Sequence, residues 1–289
     1  MKRILACTDL SESGRHALDR AVRLAMGTGA RLDVIHAASV DTDDGARLHS
    51  RLLQEAQLAA VRAGAGSIEI RSLVSVLRPE DAILHRAKQT NPDLIVLGGH
   101  GEPRFRDAVF GTTGTHVVRH SQVPVLIVQS QATSPYARLM VAAETAEAAP
   151  RLVENALAIA PAAEVFTVHA FHAGFSGSLG GEEALEDLAA REVHDLQSAL
   201  AQISAARPEA LLGAHRHIIV EPGDALTVLM DEVDQLAPDL VVMGARDRGT
   251  YAGSRAVDAF FWCPKDLLIV PAPESAAERK PSLGSTVSA

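Results

Sequence analysis

Two rhythms of apolar residues alternate along the chain. Short runs such as Leu94-Ile95-Val96-Leu97 and Val125-Leu126-Ile127-Val128 read as strands buried on both faces. Between such runs, apolar positions recur at helical spacing, as at Ala17, Leu18, Ala21, Val22, Leu24 and Ala25, where Gly27 and Gly29 end the segment. In order, the pattern predicts a strand over residues 2–8, a polar turn after Asp9, a helix over Ser13–Met26 and a strand over Arg31–Ala37. An acidic loop at Asp41–Gly45, a helix to about Ala63 and a strand over Ile68–Leu77 follow. Pro79 suits a first helical position, with Glu80 and Asp81 near the positive end of a helix that stops at Asn91-Pro92. Strand, loop, short helix and strand from Asp93 to Val128 complete a βα series of five strands. Such a series predicts a parallel sheet with helices on both faces.

The pattern then starts again. Ala137–Ala143 repeats the first strand, and Glu164–Ala170 repeats Leu32–Ala37. Glu221-Pro222-Gly223-Asp224 echoes Arg78-Pro79-Glu80-Asp81, Pro238–Gly244 echoes Pro92–Gly98, and Leu267–Val270 echoes Val125–Val128. Matched landmarks in one order mark an internal duplication. The expected boundaries are residues 1–133 and 134–272, divided near the polar linker Ser130–Pro135, with a disordered tail over 273–289. In the second half, Ser176–Gly181 reads as a flexible loop opening a helix over Glu182–Ala206.

Composition narrows the function. The 289 residues are 47% hydrophobic and carry a formal net charge of −9, which opposes non-specific nucleic-acid binding. No apolar run approaches the ~20 residues of a membrane span, and Asp9 comes too early for a secretory leader. Cys7 and Cys263 form neither a disulfide framework nor a zinc motif, so a reduced cytoplasmic setting is the expectation. Twelve histidines lack ligand spacing and read as structural or surface residues. Cys7 reads as a small core residue, although a thiol near the site would be placed to sense oxidants.

The candidate chemistry lies in the fourth βα unit. The apolar run ends in Gly98 and Gly99, a polar and basic loop follows, and Gly111-Thr112-Thr113-Gly114 opens a helix. Glycines allow close backbone approach, and a helix start adds unpaired N–H groups and a positive dipole end. Threonine hydroxyls there can cap the helix or bond a phosphate oxygen. The stretch therefore suits an anion, with a nucleotide phosphate as the favoured ligand.

Gly98, Gly101, a nine-residue gap and Gly111-Thr112 resemble the G-x2-G-x9-G-[S/T] signature of ATP-binding universal stress proteins, and the resemblance extends over nearly all of residues 2–271 in the tandem form of that family. It implies two Rossmann-like α/β domains, similar to adenine nucleotide alpha hydrolases, each a five-stranded parallel sheet with helices on both faces. It also implies that Val123–Val128 and Leu267–Val270 pair within the chain, making an intrachain pseudo-dimer that is a candidate for pairing again as a homodimer. By the same resemblance Thr8 and Asp9 contact the nucleoside, Ala37 or Ala38 lies near the adenine, and Gly98, Gly101, Gly111, Thr112 and Thr113 hold the phosphates. His100, Arg104 and Arg106 are placed to reach a terminal phosphate, with a solvated surface role an equal alternative for the two arginines.

The second half departs from the signature. Gly244 is followed by Asp247 in place of the second glycine, and Val257-Asp258 stand where the first half has Gly111-Thr112. Carboxylates there repel a polyphosphate, and Glu144 replaces Asp9. The expectation is a cytoplasmic, ATP-binding stress-response regulator with nucleotide in the first half only, Mg2+ bridging the phosphates if hydrolysis occurs, and an unidentified protein partner. No Walker lysine follows the glycines, so hydrolysis should be slow or absent and no catalytic residue is assigned. An ATP-using enzyme of the same fold class, or a nucleotide-independent interaction or ligand-binding protein, are the alternatives. The loops at Asp41–Gly45 and Ser176–Gly181 are the candidate partner contacts.

Overall fold

The computed structural model describes residues 1–37, 42–64, 68–99, 112–171, 174–206, 216–245 and 263–273. The first half contains β1 (Arg3–Cys7), α1 (Glu12–Thr28), β2 (Arg31–Ala37), α2 (Thr42–Arg62), β3 (Ile70–Ser75), α3 (Pro79–Thr90), β4 (Leu94–Gly98), α4 (Thr112–His120) and β5 (Val125–Val128). The second contains β6 (Arg138–Ala142), α5 (Ala149–Ile159), β7 (Glu164–Phe171), α6 (Gly174–Ala206), β8 (Arg216–Pro222), α7 (Ala225–Leu236), β9 (Leu240–Gly244) and β10 (Asp266–Val270).

Strands within each half are parallel, and the halves join into one ten-stranded sheet of order β3-β2-β1-β4-β5-β10-β9-β6-β7-β8. At the seam β5 and β10 run antiparallel, with Leu126 opposite Leu268. The expected intrachain pairing of the two last strands is therefore present. Period-two alternation divides the strand side chains between two layers. Ile4, Ala6, Leu126 and Leu268 face α1, α2, α5 and α6. Leu5, Ile127 and Leu267 face α3, α4 and α7. Each apolar layer runs unbroken from one half into the other.

Local chemistry explains the element ends. Ser11 caps α1 by accepting from the Gly14 N–H, and Gly29 ends that helix at φ 68°, a left-handed conformation natural to glycine. The duplication extends to polar detail. Asp93 accepts from the Arg3 N–H at 2.9 Å, and Asp239 accepts from the Arg138 N–H at the same distance. His36 and His169 each point Nδ1 at a strand-end carbonyl, of Thr8 and Ala143, at 2.8 Å.

Two expectations need correction. Ser176–Gly181 lies inside α6, a helix of 33 residues, although glycine has a weak helix preference. Thr42–Gly45 forms the first turn of α2, leaving Asp41 outside the described residues. The linker is tethered: Arg20 Nη1 donates to Ser134 O at 2.9 Å and Arg23 Nε to Ala132 O at 3.1 Å. The proposed tail from residue 274 onward lies outside the described residues.

The halves differ beneath α3 and α7. Arg86 on α3 pairs with buried Asp33 on β2 at 3.2 Å. Aligning the helices by their left-handed caps, Asn91 and Ala237, puts Glu232 at the Arg86 position, and strand register puts Phe166 at that of Asp33. Glu232 is 6% exposed and has no ion-pair partner among the described residues. Burial, then Glu221 and Asp231, pushes its carboxyl above the ordinary range. A raised carboxyl lends stability below its unfolded value and loses it as pH rises through the folded one. Glu232→Gln should therefore stabilise the fold at pH 7 by up to about 1 kcal/mol, and the gain should vanish near pH 4. Urea unfolding midpoints at the two pH values check this.

Candidate functional site

β1 lies at the centre of the first half, with β2 on one side and β4 on the other, so strand order reverses between β1 and β4. Ligands of open α/β sheets bind beyond the carboxyl ends of strands at such a reversal. Thr8 and Asp9 leave β1 there, and Gly98 ends β4 beside them. Thr8 is 7% exposed, its N–H donates to Ile35 O at 3.0 Å and its Oγ1 accepts from the Leu10 N–H at 3.0 Å. Leu10 then takes φ 66°, a costly conformation for a leucine, which turns the chain into α1. Asp9 is exposed, and its Oδ1 accepts from the Ser11 N–H at 3.0 Å and the Ser11 hydroxyl at 2.5 Å.

The first turn of α1 is pressed into this corner. A Cβ on Gly14 would lie 2.5 Å from Thr8 Oγ1 and 2.6 Å from Asp9 Oδ1. A Cβ on Gly98 would lie 2.5 Å from Ser13 O. Gly98 thus has a packing duty independent of any ligand, because helix backbone occupies the space of its side chain. Gly14 was not among the sequence candidates. Its signal was available, since a glycine in the first turn of an amphipathic helix sacrifices helix propensity and implies a close approach.

Of the other candidates, Ala37 ends β2, where it pairs with Ser75 of β3. Thr113 lies in the first turn of α4, and its hydroxyl donates to Glu80 Oε2 of α3 at 3.4 Å. Thr112 begins α4. Ala38, His100, Gly101, Arg104, Arg106 and Gly111 lie outside the described residues, as do Asp247, Val257 and Asp258. The structure therefore brings together Thr8, Asp9 and Gly98, with Ala37 one strand away. The Cys7 thiol is buried, and burial pushes its pKa far above the ordinary value, so the oxidant-sensing reading fails for want of thiolate and access. Among the described residues no cluster of three or more His, Cys, Asp or Glu could hold a metal ion.

The corresponding corner of the second half is built differently. Thr8, Asp9 and Gly14 correspond to Ala143, Glu144 and Ala149. α5 begins at Ala149, further from its strand than α1 does at Glu12, and the close approach is lost. A Cβ on Gly244 would meet only Leu152 Cδ2 at 3.9 Å and Arg151 Nη2 at 4.0 Å. The Arg151 guanidinium fills the gap and donates to Pro271 O. Partial burial lowers its pKa from the usual arginine value. His169 is also engaged from its far side, with Nε2 3.4 Å from Glu192 Oε2.

This asymmetry can be tested on stability alone. Gly98→Ala drives a methyl group into a helix carbonyl and should cost about 1–3 kcal/mol. Gly244→Ala meets ordinary van der Waals contacts and should change stability by under about 0.5 kcal/mol. Chemical denaturation of the two variants compares the costs directly.

Comparison with known proteins agrees with the duplicated architecture. Residues 1–129 and again 135–257 match the universal stress protein family. A universal stress protein of Mycobacterium tuberculosis is 29% identical over 144 residues, which cover 45% of this chain and 97% of the relative. A universal stress protein from Archaeoglobus fulgidus, 19% identical, superposes with a TM-score of 0.70 over 93% of this chain and 98% of its own. A universal stress protein solved in complex with cAMP is 30% identical over 45% of this chain and 98% of its own, with a TM-score of 0.38. No helix among the described residues is long and apolar enough to cross a membrane. With both of its halves matched, the chain belongs to the universal stress protein family in a tandem, two-domain form.

Proposed function

We propose that the chain is an ATP-binding regulatory protein that takes one adenine nucleotide in its first half and none at the corresponding corner of its second. The observation carrying this reading is the difference between the two strand-end corners. In the first, the exposed carboxylate of Asp9 is held by Ser11 through Oδ1, and among the described residues its Oδ2 takes no hydrogen bond, which leaves it to ribose hydroxyls. Ser11 and the left-handed Leu10 fix that carboxylate at the mouth of the reversal point, a preorganised acceptor that loses little freedom on binding. Ala37, small and at the end of the neighbouring strand, leaves room for a flat base. In the second corner, Arg151 lies against the last residue of β9, and the carboxylate belongs to a longer glutamate.

Phosphates fall in this reading to Gly101, Gly111, Thr112 and the basic residues His100 and Arg104, with Mg2+ as their counter-ion. The role is occupancy rather than turnover: the glycine loop brings no Walker lysine, and hydrolysis should stay below about 1 per second. Cytoplasmic placement, a further homodimer and a protein that reads the occupied state belong to the same proposal.

Calorimetric titration of the full chain with ATP should give one site per chain. Asp9→Ala should weaken binding by about tenfold, the loss of charge-assisted hydrogen bonds to ribose. Glu144→Ala should leave affinity unchanged. Two sites, no saturable binding, or a loss caused by Glu144→Ala and not by Asp9→Ala would overturn the assignment.

A further inference from the structure

The seam between the halves is symmetric in its backbone and asymmetric in its chemistry. Strand register makes Val125 and Leu267 equivalent, so Asp266 corresponds to Pro124 and Gln129 to Pro271. Asp266, the first residue of β10, is 2% exposed. Its Oδ1 accepts from the Gln129 N–H at 2.8 Å, just beyond the end of β5. Its Oδ2 accepts from the Tyr136 hydroxyl at 2.6 Å and lies 3.4 Å from Arg20 Nε. The Arg20 guanidinium stacks 3.8 Å over the Tyr136 ring. One carboxylate of the second half thus ties together the end of the first half's last strand, α1 and Tyr136 just past the linker.

The tie continues to the site. The side-chain amide of Gln129 lies against Gly99, where a Cβ would come within 2.3 Å of Oε1. Gly99 is the first residue after β4 and donates its N–H to Val128 O at 2.8 Å. The chain's exit from β4 into the glycine loop is therefore held between Val128 and Gln129, and Gln129 is held by Asp266. Among the described residues no reciprocal tie is present. Pro124 has no carboxylate and Pro271 has no N–H, so at Ala245, whose N–H likewise donates to Val270 O at 2.8 Å, the first half supplies no such contact.

We propose that Asp266, acting through Gln129 on Gly99, is a positioning residue by which the second half braces the nucleotide corner of the first. This rests on the reading of that corner as the nucleotide site, and it gives the second half a task although it takes no nucleotide itself. Holding the loop root in one geometry lowers the ordering cost of binding. Removing the carboxylate relaxes the root and weakens affinity without touching the ligand.

The test uses the full chain and two readouts. In the nucleotide-free protein, Asp266→Asn should speed amide hydrogen exchange at Gly99 and Gln129 and leave Ala245 unchanged. In ATP titrations at a temperature where circular dichroism shows every variant folded, Asp266→Asn and Gln129→Ala should each weaken binding by roughly five- to tenfold. The double variant should be no weaker than the weaker single one, because both act along one route. Tyr136→Phe, which leaves the Oδ1 bond intact, should lower Tm and keep Kd within about twofold of wild type. Unchanged exchange at Gly99 in Asp266→Asn overturns the brace even if ATP binds, as do additive losses in the double variant or a lowered Tm with unaltered Kd in Asp266→Asn itself. Faster exchange at Gly99 in Asp266→Asn, together with a wild-type chain that binds no ATP, would leave the brace standing and overturn the site reading alone.

Discussion

Two strands, β5 and β10, the first wholly apolar and the second apolar after Asp266, end their respective halves, and neither can be left at an open edge without inviting aggregation. Their antiparallel pairing removes both edges at once and determines much else. It makes a single sheet of ten strands and lets each apolar layer run across the whole molecule. It also points the two sets of parallel strands in opposite directions, so the two strand-end corners lie on opposite rims. The Arg20–Asp266–Tyr136 cluster reinforces the seam with charge. Such a buried pair adds little net stability over apolar packing, but loss of one partner strands the other at a cost of about 3–5 kcal/mol. Its contribution is to fix how the halves and the linker sit together.

Within that frame the repeats keep backbone and exchange polar inserts. The histidine that anchors the end of the first strand is present twice, with the same Nδ1 geometry. The carboxylate that binds the start of that strand is also present twice. Elsewhere they diverge: Asp33 and Arg86 become Phe166 and Glu232, and the glycine-lined corner at Gly14 and Gly98 becomes one occupied by Ala149 and Arg151. The shared features hold strands in place, whereas the change at Gly14 and Gly98 falls at the strand ends where ligands of this fold class bind, and that at Asp33 and Arg86 falls within the sheet. The family relationship therefore accounts for the frame, and the differences within the chain carry the functional argument.

Much of the frame was legible because buried parallel strands impose apolar runs that few other elements produce. Arg31–Ala37 was delimited without error, and Gly29 and Asn91 marked helix ends by their left-handed preference. The start of α6 was misread because the glycines and serines of Ser176–Gly181 have the composition of a loop, and composition alone did not show the helix that runs through them. The buried cluster was invisible for a different reason: Asp266 meets Gln129 and Tyr136 across separations of 137 and 130 residues, and no local pattern records such a contact. At the site, the resemblance pointed to Asp9, whereas the packing demand that the start of α1 places on Gly98 needed the structure to be seen. Cys7 needed its burial known before its reactivity could be judged.

Native mass spectrometry of the full chain, equilibrated with saturating ATP and Mg2+, tests the central claim most directly because it counts ligands on each polypeptide. One nucleotide in the first half alone predicts a single added mass per chain, with the half-saturating ATP concentration raised about tenfold when Asp9 is replaced by alanine. Two nucleotides per chain, none, or one whose half-saturating concentration is unaltered without the Asp9 carboxylate would contradict it.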